Sequence, residues 1–211
     1  MFEKHKERVH ESEVARETAT WNDQVSELQT LLALIDGTGT LESSDVMLRS
    51  GERLLGHMTN VSLIGQVRGP GHYQGGSQGL SIPIGSLGGR SVRYRVGATR
   101  GHYVQGQPSP TAVDHGSVSI TTQRLIYQGA AKTAECLYAK LLGIQHAPGE
   151  ITVSVSNRQR PTVLFFGAAL DDWVSNRLNL AMAIFAGRSD QERAQLQSQL
   201  DALARAKPSA G

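Results

Sequence analysis

The sequence predicts an α+β domain: a small antiparallel β-barrel or sandwich of about seven strands, capped by a C-terminal helix and preceded by an extra amphipathic helix. Three observations carry this expectation. An apolar stripe at helical spacing lies within the first 35 residues. Short segments that alternate apolar and polar residues fill the middle, and an apolar helical pattern opened by two aspartates follows them.

The first element runs from Ser12 to Ile35, where Trp21, Val25, Leu28, Leu32 and Ile35 recur at intervals of four and three and so share one helix face. Such a stripe is a packing surface, either for the chain's own domain or for a partner helix. It is too short for a long coiled coil, which favours the first option. Asp36-Gly37 supplies the glycine expected just past a helix end.

Extended chain is expected from Gly51, with Val61 and Leu63 on one side. Gly65 to Gly89 is rich in Gly, Ser, Gln and Pro and reads as a long loop or an irregular hairpin. Val92, Tyr94 and Val96 then alternate with Arg93 and Arg95, the period of a half-exposed strand. Asp114-His115-Gly116 reads as a turn leading into two strands, with Val118 and Ile120 before a tight Thr121-Thr-Gln-Arg124 connection and Leu125 and Tyr127 after it. A further extended stretch spans Ala134 to His146, interrupted near Lys140. Ile151, Val153 and Val155 alternate cleanly and resume after Asn157 to Pro161 at Thr162 to Phe166, the clearest hairpin in the chain.

Asp171 or Asp172 is expected to cap the next helix, on which Trp173, Arg177, Leu180 and Ile184 form a stripe that ends at Gly187. Ser189 with Glu192 matches a capping box for a final helix carrying Leu196, Leu200 and Leu203. The resulting division is an N-terminal helix over 1–40, a β-rich domain over 48–187 and a C-terminal helix and tail over 188–211.

Composition narrows the chemistry. The formal charge is only +2, which argues against nucleic acid as the partner. One cysteine, Cys136, excludes an internal disulfide and a thiolate zinc site. It reads as a buried small residue in an apolar strand. The histidines show no metal-ligand spacing, no Gly-x-Ser-x-Gly elbow surrounds a serine, and the glycines of 65–89 lack the Gly-Lys-Ser/Thr of a phosphate loop. No catalytic residue, cofactor or metal is therefore expected. The charged start is neither a signal nor an anchor, and no apolar run is long enough to span a bilayer. The expected location is cytoplasmic, with peripheral membrane association left open.

The run Gly116-Ser-Val-Ser-Ile-Thr-Thr-Gln-Arg-Leu-Ile-Tyr-Gln-Gly resembles the core motif of GRAM and bacterial PH-like domains: a strand that begins with small residues, a Thr-x-x-Arg turn and an apolar strand. Gly51-Glu-Arg-Leu-Leu resembles the approach to their opening strand. The Ile151 to Phe166 hairpin and the Trp173 helix resemble their ending. The resemblance covers roughly residues 48 to 187, while the Gly65 to Gly89 segment and the outer helices depart from it. It implies a scaffold that binds phosphoinositides, peptides or proteins and leaves the partner open.

Two surfaces are candidates for binding. Arg90, Arg93, Arg95, Arg100, Arg158 and Arg160 would form an anion or anionic-lipid site if their guanidinium groups converged. The alternative is that they are solvated strand and turn residues. The Trp21, Val25, Leu28, Leu32 and Ile35 face would serve self-association or a protein partner. A non-enzymatic PH-like adaptor or self-associating scaffold is the expected function, with a lipid or phosphate binder as the alternative and a hydrolase using His72, His102 or His115 more remote.

Overall fold

The computed structural model of the chain describes residues 2–39, 41, 46–70, 72–87, 90–104 and 107–207, with the backbone alone for 2–11, 72–87 and 90–104. Helix α1 spans Phe2–Ile35. Among the described residues nine strands follow: β1 (Leu54–Arg68), β2 (His72–Leu87), β3 (Arg90–Val104), β4 (Pro108–Thr121), β5 (Arg124–Gly129), β6 (Thr133–Leu137), β7 (Leu141–Ala147), β8 (Glu150–Val155) and β9 (Thr162–Phe165). Helices α2 (Asp171–Phe185) and α3 (Ser189–Arg205) complete the chain. No described helix is long and apolar enough to cross a membrane.

The chain divides into two compact units, one formed by Met1–Ile64 with Val113–Gly211 and the other by Gly65–Ala112. Seven strands form one sheet in the order β6-β5-β4-β1-β9-β8-β7, so the expected strand count holds for this sheet. Its registers are antiparallel: Ile120 faces Leu125, Leu125 faces Cys136, Leu63 faces Leu164 and Ile151 faces Leu164. The sheet also folds over on itself. Cys136 Sγ on β6 lies 3.7 Å from Thr162 Oγ1 on β9, and Arg158 donates to the Glu135 carbonyl, so β6 meets the β8–β9 hairpin.

Alternation decides which side chains enter the core. Ile151, Val153 and Val155 of β8 are at most 2% exposed, as their period-two pattern requires. Val118, Ile120, Leu125, Tyr127 and Cys136 join them, and Val174, Leu178 and Ala181 of α2 and Leu196 of α3 belong to the same cluster. On β1 the buried positions change phase, from Gly56 and Met58 to Val61, across Asn60. Asn60 has φ 60 and absorbs the extra residue, since asparagine tolerates the left-handed region better than other side chains.

Several local expectations require correction. Asp114, His115 and Gly116 lie inside β4 and make no turn. The Asp114 carboxylate instead accepts N–H bonds from Ala131 and Lys132, fixing the β5–β6 connection. Asp171 sits in the first turn of α2 and accepts the Gly149 N–H at 2.7 Å, so neither it nor Asp172 caps the helix. The Ser189–Glu192 capping box does not form, because Arg188 holds the cap position without a side-chain bond. Within the Gly65 to Gly89 segment, His72–Leu87 is strand, paired along Arg90–Val104 with one irregularity between Pro83 and Gly85.

Candidate functional site

The Thr-x-x-Arg motif forms a buried polar joint. Thr121 Oγ1 receives the N–H groups of Gln123 and Arg124 and lies 2.6 Å from Glu52 Oε1, so one hydroxyl closes the hairpin turn and reaches β1's approach. Arg124 grips Glu52 with two bonds, Nε to Oε1 at 2.8 Å and Nη2 to Oε2 at 2.9 Å. Its remaining donors go to Glu135 Oε1 and the Met47 carbonyl, each at 2.8 Å. Burial pushes the Glu52 carboxyl up, but Arg124, Thr121 and the Arg49 N–H outweigh that and hold it below its ordinary value. All five donor positions of a guanidinium cannot serve a ligand while four bonds of this kind occupy it. The motif is a structural clamp.

The six candidate arginines divide between the two units. The registers place Arg90, Arg93, Arg95 and Arg100 on β3, opposite Leu87, Pro83, Ser81 and Gly76; their side chains lie outside the described residues. In the other unit, Arg158 donates to Thr162 Oγ1 and the Glu135 carbonyl, both at 3.1 Å, and Arg160 is exposed in the same turn. Arg158 thus ties the turn to β6.

The apolar stripe of α1 docks on the chain's own helices and core. Ile35 is buried, Leu28 and Leu32 pack against the core, Val25 is half-buried, and Trp21 Nε1 donates to the Leu203 carbonyl of α3 at 2.8 Å. Leu31 and Leu34, which the stripe omitted, are each 2% exposed and are the deepest residues of the helix. Glu27 on α1 pairs with Arg177, which stacks 4.2 Å over the Trp173 ring. Both α2 side chains lie over Gly56 of β1, where an added Cβ would meet Arg177 Cδ at 2.6 Å and Trp173 Cη2 at 2.7 Å.

A groove of about 430 Å³ lies between β7 and α2, lined by Leu141, Ile144 and His146 on one wall and Ser175, Leu178, Asn179 and Met182 on the other. Strand β7 ends the sheet, and its ladder with β8 shifts between Leu141 and Gly143. That irregularity leaves Leu142 71% exposed, and Phe185 at the end of α2 is 45% exposed. The opposite edge differs. β6 is five residues long, its Glu135 side chain is engaged by Arg49 and Arg124, and Arg158 takes the Glu135 carbonyl. Outside its ladder with β8, Leu141 at the start of β7 donates its N–H to the Tyr138 carbonyl, and among the described residues no further backbone bond from beyond the ladder is seen along Leu142–Ala147.

Histidines at three places contact serines: His57 with Ser119 at 2.9 Å, His115 with Ser62 at 3.0 Å and His146 with Ser175 at 3.3 Å. Among the described residues, only His146 of these three also has its ring near a carboxylate, Asp171 at 3.9 Å, and it does so through the same Nε2 that faces Ser175. A relay needs one ring nitrogen on the nucleophile and the other on the acid. Here Asp171 is engaged by Gly149, so the set orients the groove wall. His72 and His102 have no described side chains. No group of three metal-ligating side chains occurs among the described residues.

The groove escaped sequence reasoning because β7 and α2 are separate in the chain, and nothing local marks a strand as the sheet's edge. The exposed Leu142 beside Gly143 was the available signal. Comparison of the chain with protein-family models, curated proteins and solved structures finds no match.

Proposed function

We propose that this chain is a non-enzymatic, PH-like interaction module whose β7–α2 groove takes an extended apolar segment of a protein partner. The single observation that carries the reading is the juxtaposition of a terminal strand, open on its outer side, with an apolar helix wall. An added strand would satisfy the free backbone groups of β7, and its alternate side chains would enter the space above Ile144, Leu178 and Met182. Leu142 and Phe185 would lose their exposure to water at the two flanks.

The antiparallel seven-stranded sheet followed by a helix supports the PH-like part of the reading, together with the Thr121-to-Arg124 clamp that the resemblance singled out. The non-enzymatic part is supported by His146, whose single nitrogen faces both Ser175 and Asp171.

The test is selection from a random library of 12-residue peptides on the full chain, followed by mapping of backbone amide shifts. Selected peptides should carry apolar residues at alternate positions and perturb β7 and α2, and Leu142→Asp or Ile144→Asp should abolish capture without lowering the melting temperature by more than a few degrees. Failure to select any peptide, or shifts confined to other elements, would refute the proposal.

A further inference from the structure

The Gly65–Ala112 unit has a charge unlike the rest of the chain. It holds five arginines, no lysine and no acidic residue, whereas the whole chain carries +2, leaving −3 on the remainder. From Arg53 to Val113 no aspartate or glutamate occurs at all. Four of those arginines, Arg90, Arg93, Arg95 and Arg100, belong to one strand of a two-stranded sheet.

The register sorts this hairpin into two rows. Leu80 pairs with Val96 and Ile82 with Tyr94, and beyond the irregularity Val92 continues the same row opposite Gly85. Ser81 pairs with Arg95 and Pro83 with Arg93 in the other row. Alternation along β3 puts Arg90 and Arg100 at the two ends of the apolar row and Arg93 and Arg95 in the opposite row, so by placement the apolar stretch from Val92 to Val96 is bracketed by arginines in its own row and backed by two in the other. A two-stranded sheet on its own is marginal in water.

We infer that the β2–β3 hairpin is a membrane-contacting arm that lies on anionic phospholipid bilayers. Charge complementarity selects the lipid: guanidinium groups form paired bonds with phosphate oxygens, and no carboxylate in the unit competes for them. The apolar row selects a bilayer over a nucleic acid, since it gains from the acyl boundary and gains nothing from a phosphate backbone in water. The inference stands apart from the β7–α2 groove, which is lined by residues of the other unit.

Sedimentation of the full chain with vesicles of 30% phosphatidylserine in phosphatidylcholine tests it at 50 and 300 mM salt, beside pure phosphatidylcholine. Binding should require phosphatidylserine and weaken with salt. The triple variant Arg93→Gln, Arg95→Gln, Arg100→Gln should bind on the order of 100-fold more weakly, at about fivefold per arginine near a charged surface. Lipids brominated in their acyl chains should quench Tyr94→Trp emission in excess of the unsubstituted protein's. A circular dichroism melt superimposable on that of the parent keeps each variant interpretable, and Arg90→Gln alone provides a milder substitution if the triple variant unfolds. No sedimentation at 50 mM salt, equal binding of parent and arginine variants, or binding to single-stranded DNA that leaves vesicle binding absent would each overturn the inference.

Discussion

Replacing Arg124 with methionine is the sharpest probe of the joint between the β4–β5 turn and the approach to β1. The Glu52 side chain is 0% exposed and takes two of its bonds from Arg124, so the substitution strands a carboxylate that retains only Thr121 and the Arg49 N–H. Breaking a buried ion pair from one side costs about 3–5 kcal/mol. Removing both charges, as in Glu52→Leu with Arg124→Met, should recover most of that loss, because the stranded charge is gone. The pH dependence supplies a second reading. In the parent the Glu52 pKa is depressed, so its stabilisation is complete above about pH 4.3, the ordinary glutamate value, and is lost as pH falls through the lower folded value. In Arg124→Met, burial without the guanidinium raises the same pKa, and the stability gap between variant and parent should narrow as pH falls from 7 toward 4. Urea denaturation at pH 7, 5.5 and 4.5 measures all three terms. A single-variant loss below about 1 kcal/mol, typical of an exposed pair, would refute the account. So would a gap independent of pH.

Three further outcomes follow from the packing. Gly116 faces Gly129 across β4 and β5, and an added Cβ would lie 2.0 Å from the Gln128 carbonyl oxygen; Gly116→Ala should therefore cost about 3 kcal/mol, the upper range for overpacking, in a chemical melt. Arg177→Met removes the Glu27 pair and the stack on Trp173; it should cost about 2 kcal/mol, as for other charged hydrogen bonds, and raise amide exchange in α1 selectively. Burial, then the nearby Asp114 charge, pushes the Tyr127 phenol up to about 12. Its stabilising share is present below the ordinary tyrosine value of about 10 and is lost as pH rises through the folded one. Absorbance titration at alkaline pH should show a late-ionising step that Tyr127→Phe removes, distinct from the buried Tyr138, which burial pushes higher still.

What was legible in the chain was local. The β8–β9 hairpin, the β4–β5 hairpin and the stripe of α2 each repeat within one element, so their periods identify them without any neighbour. Gly37 and Gly187 likewise mark helix ends through their own backbone, with φ 75 and 68. Burial of Cys136 followed from its apolar strand. The partners of the polar residues were decided only by tertiary structure. Glu52 lies 72 residues from Arg124, Glu27 lies 150 from Arg177, and Asp171 serves Gly149 instead of its own helix. Which strand became the open edge was equally hidden, because β6 and β7 differ by what reaches them from elsewhere in the fold. A hydrogen bond or ion pair between distant residues leaves no period in the sequence. Only the folded sheet brings such groups within reach, and only there does the desolvation that makes the pairing consequential occur.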